Sequence, residues 1–177
     1  SNSFQRRPCR RCDEPLSTLD KHSFEGVVMN KKSTVLERRT APWRVTFDTN
    51  PDDFNLNCVM CEEHSPYSPS HQARVKGDLP YRRMEIQTIE EVIAECSSAG
   101  LEEIIPSTMG EPLIYKHMPR IIELCHQYDV KLNLTTNGTF PRLGAEAWAR
   151  LIVPVGSDVK LSWNGSDRAS QRLVMVN

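Results

Sequence analysis

Residues Thr88 to Gly138, TIEEVIAECSSAGLEEIIPSTMGEPLIYKHMPRIIELCHQYDVKLNLTTNG, switch repeatedly between a helical and a strand period, and that switching decides the fold class. Thr88 opens a helix, with Glu91 three residues on as the partner of a capping box. Ile89, Val92, Ile93 and Cys96 follow at i, i+3, i+4 and i+7, one apolar face, and Ala99-Gly100 stops the run. Leu101 to Ser107 supplies a short strand. Pro119 suits a helix start, and Met118, Ile121, Ile122 and Cys125 repeat the apolar spacing. Lys131-Leu132-Asn133-Leu134-Thr135 is a strand again, closed by Asn137-Gly138.

The same alternation extends outward in both directions. Upstream, Trp43-Arg44-Val45-Thr46-Phe47-Asp48 has period two and reads as a strand. A polar stretch from Thr49 to about Gln87 follows, long for a loop inside a domain. Its tract Ser65 to Arg83, with Tyr67, Arg74, Arg82 and Arg83, reads equally as a lid or as disorder. Downstream, Gly144 to Leu151 forms a short helix, and Asp158 to Trp163 a fourth strand broken by Asn164-Gly165. A further helix is starting between Asp167 and Asn177. Strands alternating with helices predict an α/β fold of right-handed βαβ units around a parallel sheet. Ligands gather at the carboxyl ends of such strands. The chemically loaded loops, 54–65, 108–112, 135–139 and 162–165, all follow a strand.

The chain has 177 residues, 38% hydrophobic, with a formal net charge of −1, which suits one packed domain. No run approaches the roughly 18 apolar residues that would span a bilayer, and Ser1 to Arg7 lacks the apolar core of a secretory signal. A cytoplasmic location without membrane partners is therefore expected. Residues 1–44 hold ten Lys and Arg against five Asp and Glu, while 45–177 hold twelve against eighteen. This predicts a basic, irregular extension over 1–40 and a core over 41–177. The arm has few aromatics and no helical stripe of basic residues, which weighs against nucleic acid as a partner.

Six cysteines fall at positions 9, 12, 58, 61, 96 and 125. Cys96 and Cys125 lie on apolar helix faces and read as core. Cys58 and Cys61 sit in Asn55-Leu56-Asn57-Cys58-Val59-Met60-Cys61-Glu62, where a turn brings two soft thiolate donors to one side for zinc or an iron–sulfur centre. His64, Glu62 and Glu63, just beyond, read as a solvated polar run outside the site. Cys9, Cys12, Cys58 and Cys61 together offer a second reading, a non-catalytic zinc module, although 45 residues separate the pairs.

The cysteine loop resembles the C-x3-C-x2-C motif of the radical S-adenosylmethionine (radical SAM) enzymes, in which three cysteines bind a [4Fe-4S] cluster. Cys58 and Cys61 match the second and third ligands, and the first position is Phe54, which has no lone pair to offer iron. Met109-Gly110-Glu111-Pro112 resembles the family's G-G-E-P loop, Thr135-Thr136-Asn137-Gly138-Thr139 its T-N-G-T loop, and Ser162-Trp163-Asn164-Gly165 its ribose-side S-x-D-G turn. The four loops occur in the family's order over about residues 43–170.

The resemblance implies a partial (βα) barrel of about four βα units, incomplete at its C-terminal end. It implies an enzyme that binds the cluster and S-adenosylmethionine and forms a 5′-deoxyadenosyl radical, supplied with electrons by a flavodoxin or ferredoxin. Gly110, Glu111 and Pro112 would meet the methionine end, and Thr136, Asn137, Ser162 and Asn164 the ribose side. The substrate, a small molecule or peptide, and the catalytic residues stay unassigned. Phe54 predicts weak or absent cluster binding in this chain unless Cys9 or Cys12 takes the vacant corner.

Overall fold

Parallel strands β1 (Arg44–Thr46), β2 (Glu103–Ile105), β3 (Lys131–Thr136) and β4 (Gly156–Leu161) form one sheet in the order β1-β2-β3-β4. The computed structural model describes residues 42–176, so the expected 1–40 extension and the Cys9–Cys12 pair lie outside the described residues. Helices α1 (Pro69–Lys76) and α2 (Ile86–Ser98) join β1 to β2, α3 (Met118–Gln127) joins β2 to β3, and α4 (Ala145–Ile152) joins β3 to β4. A last helix, α5 (Arg168–Val174), follows β4. This is the α/β fold predicted, an open sheet of four βα units.

Alternation along the strands builds the core. Val45 pairs with Ile104, and Ile104 with Leu132, aligning one apolar row across three strands. Fully buried Ile89 and Ile93 of α2, Met118 and Ile121 of α3, and Trp148 of α4 join this row in a single hydrophobic cluster. Cys125 belongs to it, and burial pushes its thiol pKa up to about 12. Cys96 packs half-buried against the same cluster. Both behave as small apolar residues. At the other edge, β4 leaves Val159 and Leu161 largely exposed, so the sheet stays an open, partial barrel. Among the described residues, no helix is long and apolar enough to cross a membrane.

Three expectations change. Helix α2 starts at Ile86, before Thr88, and its N-cap Glu85 makes no side-chain cap hydrogen bond. Long-range docking sets the start instead. Met84 N donates to Thr49 O at 2.8 Å, the Tyr115 hydroxyl donates to Met84 O at 2.6 Å, and Ile86 is buried. The fourth strand begins at Gly156, two residues before the expected Asp158. The stretch 49–87 is not a plain loop, since it contains α1. Ser68 caps that helix by accepting from His71 N at 3.2 Å, and Pro69 occupies its first turn.

Two aspartates hold the tract from 65 to 83 in place, so it is neither a free lid nor structureless. The Asp52 carboxylate accepts from Arg74 Nη2 at 2.7 Å and from Arg82 N, Nε and Nη2 at 2.7, 2.9 and 2.7 Å. Asp53 takes a bidentate fork from Arg83 at 2.6 and 2.7 Å. The hydrogen bond from Arg82 holds the Asp52 carboxyl below its ordinary 3.8. A depressed carboxylate stabilises the fold above its unfolded pKa, and that contribution is lost as pH falls through the folded one. Asp52→Asn is therefore expected to cost about 2 kcal/mol at neutral pH. That is below the 3–5 of a fully buried broken pair, because the guanidinium of Arg82 is half-exposed. The melting temperature should drop by about 4–8 °C. Melts repeated at successively lower pH below the ordinary carboxylate range should show the two proteins converging as the wild-type carboxyl protonates in turn.

Candidate functional site

The loops that leave the four strands meet at the carboxyl end of the sheet around a cleft of about 290 Å³. Eight of the nine residues singled out in the sequence line it: Cys58 and Cys61 from the loop after β1, Gly110 and Glu111 after β2, Thr136 and Asn137 at the end of β3, and Ser162 and Asn164 after β4. Pro112 does not. It is buried at the start of a short 3-10 turn, Pro112–Ile114, where its missing N–H costs nothing.

Gly110 lets two loops touch. A Cβ there would stand 1.9 Å from Asn50 O and 2.9 Å from Asp53 O. Across that contact Glu111 N donates to Asp53 O at 2.8 Å, and Asn50 Nδ2 donates to Glu111 O at 3.0 Å. The Glu111 side chain is buried. Its Oε1 accepts from the Thr136 hydroxyl at 2.7 Å and Leu113 N at 3.2 Å, and its Oε2 from Asn137 N at 2.8 Å. Burial pushes its carboxyl pKa up, against the pull of those donors.

The Asn137 side chain is committed as well. Its amide nitrogen donates to Asn55 Oδ1 at 2.8 Å, and its Oδ1 accepts from Thr139 N and Oγ1 at 3.0 and 2.7 Å. Asn55 closes the ring by donating to Thr139 Oγ1 at 2.8 Å. The cysteine loop is thereby tied to the loop after β3. By contrast, among the described residues, neither the Ser162 hydroxyl nor the Asn164 side-chain amide has a hydrogen-bond partner, so both can serve a ligand.

His64 corrects the reading of 62–64 as a solvated run. It is buried, lines the cleft, and its Nε2 lies 3.1 Å from Met109 O. Burial lowers its pKa. The imidazole stacks on Phe54 at 3.7 Å between ring centroids and 27° between planes, and His71 meets Phe54 edge-on at 5.8 Å. Phe54 and His64 also line a second cavity of about 230 Å³ beside α1. No sequence period signals this stack, because the two rings meet only when the loop after β1 folds on itself. Asn55 and Thr139 were missed because they meet across 84 positions, between the loops after β1 and β3.

Cys58 and Cys61 place two soft donors on one loop of the cleft. Cys58 and Cys61 are reduced thiols joined by a turn, with Cys61 N donating to Cys58 O at 3.0 Å and His64 N lying 3.4 Å from Cys61 Sγ. Burial, with Cys61 alongside, pushes the Cys58 thiol up. Among the described residues no three Cys, His, Asp or Glu side chains converge on one point. Phe54 brings a ring where a third thiolate would be needed, and His64 Nε2 is engaged with Met109. The donor set among the described residues does not fit a [4Fe-4S] cluster held by three thiolates. The first pair of the zinc module, Cys9 and Cys12, lies outside the described residues.

The fold is an open, partial (βα) barrel with a cleft at the strand carboxyl ends, where such folds gather ligands. Residues 55–175 match the Radical SAM superfamily, and the chain belongs to it. Enzymes of this superfamily use a [4Fe-4S] cluster and S-adenosylmethionine. The chain is 34% identical over 85 residues to a probable GTP 3′,8-cyclase of Pyrococcus abyssi, covering 48% of this chain and 24% of the cyclase. In fold it is similar to Streptococcus suis SuiB bound to S-adenosylmethionine, with a TM-score of 0.54 and 16% identity over 76% of this chain and 28% of SuiB. It is likewise similar to BtrN in complex with AdoMet and 2-DOIA, with a TM-score of 0.50 and 16% identity over 67% of this chain and 44% of BtrN. The chain thus spans about a quarter of the length of the cyclase and of SuiB.

Proposed function

We propose that this chain forms the S-adenosylmethionine-binding part of a radical SAM protein in which the cluster corner at Phe54 has been lost. The observation that carries the reading is the cleft itself. Loops from four successive strands converge on it, with Ser162 and Asn164 uncommitted toward a ligand. In this reading Gly110 shapes the wall at the methionine end, Thr136 and Asn137 the adenosine side, and Ser162 and Asn164 hold ribose hydroxyls, while Pro112 stays buried outside the cleft. Cys58 and Cys61 are the two remaining cluster ligands. Reductive cleavage of the sulfonium, with electrons from a flavodoxin or ferredoxin, belongs to forms with a third thiolate.

The acceptor of the radical chemistry is a peptide or a small molecule. SuiB has been crystallised with its precursor peptide SuiA, and BtrN with 2-DOIA, which supports both classes equally.

Calorimetric titration of the purified chain with S-adenosylmethionine under anaerobic conditions tests the reading. Saturable binding at one ligand per chain is expected. Asn164→Ala combined with Ser162→Ala should weaken it about tenfold, the loss of roughly 1.4 kcal/mol of hydrogen bonding. Absence of binding by the parent chain would sink the proposal.

A further inference from the structure

Glu111 is the residue at which three loops of the cleft meet. Its backbone N–H and C=O bind Asp53 and Asn50 of the loop after β1, at 2.8 and 3.0 Å. Its carboxylate receives the Thr136 hydroxyl and Asn137 N–H at the end of β3, at 2.7 and 2.8 Å. Leu113 N donates to it from its own loop at 3.2 Å. The residue is only 4% exposed. A carboxylate has about four lone-pair directions, and three are already occupied by donors from the chain. Charge-assisted bonds of this kind are roughly twice as strong as neutral ones. An incoming ammonium group would find little of this carboxylate left to bind.

We infer that Glu111 is a positioning residue, which fixes the Thr136–Asn137 segment and through it the adenosine side of the cleft, rather than a ligand for the methionine amino group. The coupling continues physically. Asn137, held by Glu111 at its backbone, holds Asn55 with its side chain, so the shape of the cleft is set by a hydrogen-bonded frame that includes no metal. The inference rests on the cleft's taking S-adenosylmethionine, and it sharpens that reading by dividing the ligand in two.

The division supplies the experiment. 5′-Methylthioadenosine has the adenosine half and lacks the amino acid. A Glu111 that contacts the amino group directly predicts that Glu111→Gln weakens S-adenosylmethionine and leaves methylthioadenosine untouched. A positioning Glu111 predicts that both ligands weaken together, by about tenfold. Thr136→Val, which removes the hydroxyl donor, should reproduce that pattern, and Thr136→Ser should restore near-parent affinity. Combining E111Q with T136V should add little to either alone, because the two act as one unit.

A ligand-free readout keeps the inference separate from the reading it rests on. In E111Q, amide hydrogen exchange at residues 136–139 should quicken about tenfold while exchange at residues 132–134 stays as in the parent. If the parent binds neither ligand, the proposed function fails, and hydrogen exchange still decides the role of Glu111. Loss confined to S-adenosylmethionine, or unchanged exchange at 136–139, would overturn the inference.

Discussion

Phe54→Cys, reconstituted anaerobically with iron and sulfide, is expected to hold about four irons and four sulfides per chain, where the parent holds fewer than about one. The backbone needed for this is already present, because Cys58 and Cys61 occupy one turn of the loop and line the same cleft as Phe54. What Phe54 contributes in exchange is packing. Its ring stacks on His64 and touches His71. Removing a half-buried ring leaves a void beside the second cavity, so the variant without metal should be less stable by about 1–3 kcal/mol. A bound cluster would more than offset that loss, since a ligand that binds only the folded state stabilises it. Thermal melts should therefore fall for the metal-free variant and recover on reconstitution, a pair of signs that mere repacking cannot produce. Near four irons in the parent too would mean that another donor fills the corner, and Cys9 and Cys12 are the thiols to replace next. Iron in neither protein would place the defect outside residue 54. One zinc per chain without sulfide in both would favour the zinc module.

The strands and helices of the sheet were legible because their periods are local properties of the chain. Ile89, Val92 and Ile93, or Leu132 and Leu134, announce which face they bury without reference to anything distant. Helix α1 escaped because it has no buried residue and thus no apolar stripe to read, although Ser68-Pro69 carried the cap signal. The start of α2 was misplaced because a local capping box lost to docking by Met84 and Ile86.

Site residues were legible as loops and not as roles. Glu111, Thr136 and Asn137 line the cleft, but their long-range partners lie 25 to 82 positions away, and only the fold reveals that the side chains hold one another. The Asp52-Asp53 and Arg82-Arg83 doublets are likewise paired across 30 residues. His64 was set aside as surface because nothing in its neighbourhood along the chain shows the ring of Phe54 waiting to stack on it. A neutral imidazole on a phenyl ring suits a buried site, and a solvated run of charges does not.

Gly110→Ala is the substitution with the largest expected cost to the fold. The three atoms nearest to a methyl group at this position are all backbone: Asn50 O at 1.9 Å, Asn50 C at 2.9 Å and Asp53 O at 2.9 Å. No rotamer can relieve a clash with backbone, so one loop must retreat. Retreat breaks the bonds from Glu111 N to Asp53 O and from Asn50 Nδ2 to Glu111 O, in a region where Asn50 is fully buried. Overpacking of this kind costs about 3 kcal/mol or more, which corresponds to a fall of about 6–12 °C in melting temperature. Gly144→Ala separates this cause from conformational strain. Gly144 has φ +81° and ψ 164° and nothing within 4 Å of its would-be Cβ, so only the penalty of this glycine-favouring backbone region, about 1–3 kcal/mol, applies there. The two variants should also differ at the cleft. G110A moves the loop that carries Glu111 and should abolish measurable S-adenosylmethionine binding even below its melting temperature, while G144A should bind as the parent does. Equal melting losses with binding intact in both would mean that the loops after β1 and β2 part without disturbing the cleft, and Glu111 could not then be the point that holds it together.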